Sequence, residues 1–149
     1  MPDVIETTID KFVFRVVTDR WYSAEGAWAL PDGEHVRVGV SDYLQQRNGD
    51  VAFVEARPAG TVLEAGDEVA LIETIKANVE VASPIAGTVV AVNPALLPSP
   101  EIINQDPYGD GWMVLIEALD WAADRARLLD PEAYFELMRE QAEAEVSQP

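Results

Sequence analysis

The sequence predicts a mainly β protein, an antiparallel sandwich or barrel with short helices and a C-terminal helix. In residues 57–93, short alternating strands are separated by frequent turn signals, a pattern typical of antiparallel sheets. Sustained helical spacing appears after the last strand. The chain has 149 residues, of which 48% are apolar. This suits one domain with a real core, and we expect it to span residues 11–149.

Charge and composition exclude several kinds of function. Asp plus Glu is 27 against 10 Lys plus Arg, a net charge of −17 that disfavours nucleic acid and anionic membrane surfaces. The absence of cysteine excludes disulfides, thiolate metal sites and cysteine nucleophiles. A single histidine, His35, leaves little for a metal site or a Ser-His-Asp triad. We therefore expect no catalytic residues and no metal.

The amino-terminal half predicts a tail, a hairpin, a short helix and a strand. Residues 1–10 are interpreted as a flexible tail, and the sequence there predicts neither a signal peptide nor a membrane span, so we expect a cytoplasmic protein. Residues 28–40 predict a hairpin with a Pro-Asp-Gly turn. Ser41 caps a short helix ended by Asn48-Gly49. The strand 50–56 is expected to turn Val51, Phe53 and Val54 inward.

The carboxyl-terminal part predicts one more strand and a helix. Four prolines prevent residues 94–110 from forming one regular element, and residues 111–119 predict the last strand. Asp130-Pro131 marks the start of a helix over 131–146. Its buried stripe is expected to comprise Tyr134, Leu137, Met138 and Gln141.

An internal repeat surrounds a lysine. Residues 59–62 (Ala-Gly-Thr-Val) recur at 86–89, and between the copies two alternating strands meet at a hairpin with Lys76 at its tip. The chain has two lysines, Lys11 and Lys76. A solvated turn lysine is the simplest interpretation of Lys76. An amine held out on a stiff hairpin is also well positioned for acylation, as in proteins that present a covalently bound group.

Several segments are similar in order and spacing to the glycine cleavage system H protein family. The resemblance spans roughly residues 20–140, and its most specific parts are 73–77 (Glu-Thr-Ile-Lys-Ala), 83–89, 92–96 and 99–112. It implies a barrel-sandwich hybrid of antiparallel strands, like that of lipoyl domains. It also implies a covalent lipoate on Lys76, with Gly60, Glu73 and Gly87 as lipoylation determinants. The implied modifying partner is a lipoate ligase or a lipoyl/octanoyl transferase.

The resemblance implies a swinging arm that shuttles a thiol-bound intermediate between partner enzymes and retracts into a cleft. Residues Ser23, Ala27, Tyr43 and Glu80 match the cleft, and Ala27 and Tyr43 stand where the family commonly has glutamate and histidine. A less acidic cleft favours an H-like lipoate-binding protein of sulfur oxidation with a heterodisulfide-reductase-like complex. The alternative is an H protein that carries the aminomethyl group between glycine decarboxylase and aminomethyltransferase. Dihydrolipoamide dehydrogenase is the implied oxidant of the arm in either case.

Two other classes of function remain open. The fold could serve as an interaction module in which Lys76 has no role. An enzyme using paired carboxylates, such as Glu73 and Glu80, is disfavoured because acidic residues are so abundant that a pair arises by chance.

Overall fold

A computed structural model describes residues 3–147 of the chain. In this part the strands are β1 Val4–Ile9, β2 Phe12–Val17, β3 Trp21–Tyr22, β4 Ala27–Asp32, β5 His35–Val40, β6 Val51–Ala56, β7 Val62–Leu63, β8 Glu68–Thr74, β9 Asn78–Ala82, β10 Gly87–Val92 and β11 Val114–Ala118. The α-helices are α1 Asp42–Asn48, α2 Ile102–Gln105, α3 Trp121–Arg127 and α4 Pro131–Ser147, with a 3-10 turn at Pro94–Leu96. Within residues 3–147, no helix is both long enough and apolar enough to cross a membrane.

Two antiparallel sheets enclose the main core. The larger sheet has the strand order β3-β4-β5-β11-β10-β7, and the smaller has the order β6-β8-β9. Alternating apolar side chains from both sheets, including Val38, Val69, Val89 and Ile116, are fully buried between them. The predicted mainly β, antiparallel fold class is confirmed, and the lipoyl-domain-like hybrid of barrel and sandwich fits this architecture.

The two copies of the repeat lie side by side. β7 pairs antiparallel with β10, so that Val62 is opposite Thr88 and Leu63 is opposite Gly87. The pairing extends beyond β7, because Gly60 N donates to Val89 O at 2.7 Å and Val89 N donates to Thr61 O at 2.9 Å. The two copies of the repeat therefore pair with each other. The strands between them in sequence, β8 and β9, form the hairpin that bears Lys76.

The amino-terminal segment differs from the expected flexible tail. Residues 4–9 form β1, which pairs with β2 from Val4 opposite Val17 to Ile9 opposite Phe12. Three hydrogen bonds tie β2 to α1 and to the loop before β11: Arg15 N to Asp42, Gln46 to the Val13 carbonyl, and Tyr108 to the Arg15 carbonyl. The sequence suggested a tail because β1 alternates weakly and is flanked by Asp3 and Asp10. Its order comes from these tertiary contacts. Residues 1 and 2 lie outside the described part.

The strand β6 and the helix α4 each bury different residues from those expected. Val51 and Val54 are buried, but Phe53 is 42% exposed because the register with β8 shifts between Val51 and Phe53. The helix predicted over 131–146 corresponds to α4. Its buried residues are Pro131 at the start and then Tyr134, Met138 and Ala142, spaced four apart, whereas Gln141 is exposed and Leu137 is half-buried.

A second apolar cluster joins α4 to the amino-terminal hairpin. It contains Ile9, Phe14, Val16, Tyr22, Trp28, Tyr43, Tyr134, Met138 and Ala142. The Tyr22 and Tyr134 rings stack with centroids 4.6 Å apart, and the Tyr134 hydroxyl hydrogen-bonds the Ser41 hydroxyl at 2.8 Å. We call this second apolar cluster the tyrosine cluster. It lies on the outside of the larger sheet, and it packs the β1–β2 hairpin against α4 and α1.

Candidate functional site

Lys76 lies at the exposed tip of the β8–β9 hairpin. β8 ends at Thr74 and β9 begins at Asn78, so three residues make the connection. Ile75, Lys76 and Ala77 are all exposed. The amine is therefore accessible to a modifying enzyme, which is what the acylation hypothesis requires.

The backbone of this tip is fixed by Thr74. The Thr74 hydroxyl oxygen accepts hydrogen bonds from Lys76 N at 3.2 Å and from Ala77 N at 3.0 Å. Thr74 N in turn donates to the Ala77 carbonyl at 2.8 Å. A hydroxyl that bonds the amides two and three residues ahead is a common way to stabilise a turn. Lys76 therefore leaves the fold from a well-defined backbone position.

Glu73 and Glu80 lie on the outer face of the smaller sheet. Ile72 and Val81 point into the core, and because side chains alternate along a strand, their neighbours Glu73 and Glu80 point outward. Glu73 stands opposite Asn78, at the start of β9 and close to the tip. Glu80 stands opposite Leu71, farther from it. Of the two carboxylates, Glu73 therefore lies nearer to the tip that bears Lys76.

Gly60 and Gly87 are required for different reasons. Gly60 is exposed and has a φ of +96°, a conformation that side chains rarely adopt, although a Cβ there would meet no atom within 4 Å. Gly87 is buried, and a Cβ there would overlap the backbone carbonyl oxygen of Glu117 and lie 2.6 Å from an Ile116 methyl carbon. The first glycine allows a turn, and the second allows close packing of β10 on β11.

A groove opens beside Lys76. Its volume is about 260 Å³, and it is lined by Phe12, Phe14, Tyr43, Gln46, Arg47, Lys76, Ala142, Glu145 and Val146. The amino-terminal hairpin, α1 and α4 contribute its walls, while the β8–β9 hairpin contributes Lys76. The lysine side chain passes over Gly49 at the end of α1, where a Cβ would lie 3.4 Å from Lys76 Cε. We call this cavity the Lys76 groove.

The Lys76 groove has an apolar wall and a polar end. Phe14 lies between Phe12 and Tyr43, with ring centroids 6.2 and 5.5 Å away. At the polar end the Tyr43 hydroxyl donates to Glu145 Oε1 at 2.6 Å, and Arg47 Nε lies 3.0 Å from the same oxygen. Burial raises the pKa of the Tyr43 phenol, and its hydrogen bond to the Glu145 carboxylate raises that pKa further. Tyr43 is therefore a neutral hydrogen-bond donor.

The expected cleft residues do not lie together. Tyr43 lines the Lys76 groove, but Ser23, Ala27 and Glu80 do not. Ser23 accepts a hydrogen bond from Ala27 N at 3.1 Å, and Ala27 is 1% exposed in the core of the larger sheet. These two residues stabilise the entry to β4. Glu80 remains on the outer face of the smaller sheet.

Sequence reasoning missed the residues that line most of the groove. Phe12, Phe14 and Glu145 were not among the residues predicted for the site from the sequence. One signal was available: Tyr134, Met138 and Ala142 define a buried stripe, and Glu145 lies three residues after Ala142, close to the same face. The partner of that stripe, the hairpin β1–β2, could not be identified without the fold.

An exposed lysine at the tip of a rigid hairpin in the smaller of two packed β-sheets is typical of a carrier domain, a class of protein that presents a covalently attached group. Three comparisons give the family. The family model for the glycine cleavage H-protein matches residues 20–141. A glycine cleavage system H protein of Thermus thermophilus is 44% identical over 83% of this chain and 96% of its own length.

Two further relatives agree. A probable glycine cleavage system H protein 1 of Saccharolobus solfataricus is 36% identical over 90% of this chain and 97% of its own length. The crystal structure of a glycine cleavage system H protein from Mycobacterium marinum superimposes with a TM-score of 0.73 at 29% identity, covering 80% of this chain and 95% of that one. The chain belongs to the glycine cleavage H-protein family. Proteins of this family carry lipoate covalently on a lysine and are carriers rather than catalysts.

Proposed function

We propose that this protein is a lipoyl carrier with lipoate attached through an amide to Lys76 Nζ. The observation that carries the proposal is the exposed amine of Lys76 on a hairpin tip fixed by Thr74, in a chain of the H-protein family. The bound group would supply a redox-active disulfide on a long flexible arm. Glu73, Gly60 and Gly87 are the proposed lipoylation determinants. The two glycines shape the strands that precede and follow the hairpin in sequence, and Glu73 offers a charge near its tip.

The surroundings of Lys76 fit such a group. An acylated lysine is uncharged, so its chain can lie against the apolar wall formed by Phe12, Phe14 and Tyr43 without a cost for burying a cation. Sulfur also packs favourably against aromatic rings. The chain's own residues would therefore bind the arm and exclude water from it between visits to partner enzymes.

We further propose that the arm carries the aminomethyl group of glycine cleavage. The sequence favoured a sulfur-oxidation role with a heterodisulfide-reductase-like complex, and neither the family model nor the relatives described above support that preference. Their names support the glycine cleavage alternative. The proposed partners are glycine decarboxylase, aminomethyltransferase and dihydrolipoamide dehydrogenase in the cytoplasm, together with a lipoate ligase or a lipoyl/octanoyl transferase.

Intact mass spectrometry after incubation with a lipoate ligase, ATP and lipoate tests the attachment site. The wild-type protein and Lys11→Arg should each gain one lipoyl group, while Lys76→Arg should gain none. Lys11→Arg is a matched control because Lys11 is also exposed at a hairpin tip. A lipoyl adduct on Lys76→Arg, or its absence from the wild type, would refute the proposal.

An exchange assay tests the pathway. The lipoylated protein should support glycine decarboxylase in exchanging labelled bicarbonate into the carboxyl group of glycine, and unmodified protein should not. Lipoylated protein that supports no exchange would exclude the glycine cleavage role while leaving the carrier function intact.

A further inference from the structure

Glu145 is the single carboxylate lining the Lys76 groove in residues 3–147. It stands near the end of α4, and its side chain is 42% exposed. Both of its contacts, from the Tyr43 hydroxyl and from Arg47 Nε, are made to Oε1. The two donors orient the carboxylate, and its second oxygen, Oε2, is engaged by neither contact. A carboxylate held this way at the end of an apolar groove is a suitable binding partner for a cationic amine.

The other acidic candidates for this role lie elsewhere. Glu73 and Glu80 are on the outer face of the smaller sheet, and neither lines the groove. At position 27, where the family commonly has a glutamate, this chain has Ala27, which offers no carboxylate and is buried in the core. An aminomethyl group has an amine that is protonated at neutral pH. Burying such a cation in an apolar site that offers no anion costs free energy.

We infer that Glu145 binds the amino group of the aminomethyl-loaded arm in the Lys76 groove. The inference rests on the proposed function. It assigns the role to segments outside the residues matched by the family model, since that match covers 20–141 whereas Phe12, Phe14 and Glu145 lie beyond it. The hairpin β1–β2 supplies the apolar wall, and the last turns of α4 supply the anion. The amine donates to the carboxylate, and no covalent bond forms or breaks at Glu145.

The test compares Glu145→Gln with Glu143→Gln. Glutamine keeps an oxygen that can accept from Tyr43, so the groove should persist while the charge is lost. Glu143 is the matched control because it lies on the same helix but pairs with Arg139 and does not line the groove. Each lipoylated protein, with its arm in the oxidised disulfide form, is incubated with glycine and glycine decarboxylase, so that the S–S bond breaks as the aminomethyl–sulfur bond forms; it is then separated from the enzyme and followed over time by intact mass.

We expect Glu145→Gln to lose the aminomethyl mass about ten times faster than the wild type, because a charge-assisted hydrogen bond is lost. Glu143→Gln should decay at the wild-type rate. In wild-type protein with ¹³C-labelled glutamate, the carboxyl resonance of Glu145 should shift on loading and that of Glu143 should not. Equal decay of all three proteins, or an unmoved Glu145 resonance, would overturn the inference.

Failure of the proposed function gives a different result. Lipoylated wild-type protein would then gain no aminomethyl mass at all, which would overturn the function and the inference together. Loading with equal decay rates would overturn the inference alone.

Discussion

The two lysines of the chain stand on two hairpins that look alike at first sight. Lys11 lies at the tip of β1–β2 and Lys76 at the tip of β8–β9, and both are exposed. The first tip is a two-residue turn in which Asp10 has a φ of +58°. The second has three residues and is held by the Thr74 hydroxyl. Exposure at a hairpin tip is thus shared, and it cannot by itself mark a modification site.

What separates the two hairpins is their support. The Lys76 hairpin belongs to the smaller sheet of the main core and has Glu73 close to its tip, and the repeat glycines precede and follow it in sequence, at β7 and β10 of the larger sheet. The Lys11 hairpin is a separate two-stranded sheet, held by the tyrosine cluster and by hydrogen bonds to α1. The Lys76 hairpin presents its lysine side chain, and the Lys11 hairpin forms a wall of the Lys76 groove. Three predictions test this division.

The largest predicted effect is on the free energy of unfolding, when a glycine of the repeat is replaced by alanine. Gly87→Ala should lower the free energy of unfolding by about 3–4 kcal/mol, because the added methyl group meets the Glu117 backbone, which cannot move aside cheaply. Gly60→Ala should cost about 1–2 kcal/mol, since only its positive φ is strained. Urea denaturation measures both changes. Equal costs would show that the two glycines have the same role.

The second prediction concerns the tyrosine cluster behind the Lys11 hairpin. Burial raises the pKa of Tyr134 to about 12, so the folded state favours its neutral phenol. The stabilisation is present below the unfolded tyrosine pKa of about 10 and is lost as the pH rises from there towards about 12. The loss from Tyr134 alone should reach about 2–3 kcal/mol.

Urea denaturation at several pH values from about 9 to about 12 measures that loss. Tyr134→Phe is the control, because it removes the titrating phenol but keeps the ring that stacks on Tyr22. This variant should lose less stability over the same range. An identical pH dependence in the two proteins would remove Tyr134 from the explanation.

The smallest predicted effect concerns recognition of the Lys76 hairpin. Glu73→Gln should lower the kcat/KM of lipoate ligase roughly tenfold, or about 1.4 kcal/mol, because the charge beside the tip is lost. Glu80→Gln is the matched control on the other strand of the same hairpin and should change it little. The measurement is the initial rate of lipoylation at several protein concentrations. A larger effect at Glu80 would mean that the ligase approaches from the other strand.

The sequence predicted the main core better than the parts around it. Alternating residues such as Val36, Val38 and Val40 and the turn glycines encode their strands locally, so the hairpins of both large sheets could be anticipated. The repeat indicated the Lys76 hairpin, although it did not show that its copies pair with one another. Phe53 was misassigned because a bulge changes which side chains face inward, and a bulge leaves no clear mark in the pattern.

The groove could not be predicted from local patterns. Its walls come from β2, α1 and α4, which are distant in sequence, and β1–β2 are ordered by contacts such as Gln46 with the Val13 carbonyl. Similarity to the family pointed to a cleft made of Ser23, Ala27, Tyr43 and Glu80, of which Tyr43 alone lines the groove. The groove draws Phe12 and Glu145 from the segments on either side of the matched region. Such contacts depend on tertiary packing, which a single sequence does not reveal.

The hydrogen bonds that the Thr74 hydroxyl accepts also determine where motion can occur. Since the amides of residues 76 and 77 are both engaged, the peptide plane at the tip cannot rotate freely. The swing of an attached arm must then come from torsions about its own single bonds. Each partner enzyme would meet a stationary pivot, and the reach of the prosthetic group would be a shell centred on one Cα atom.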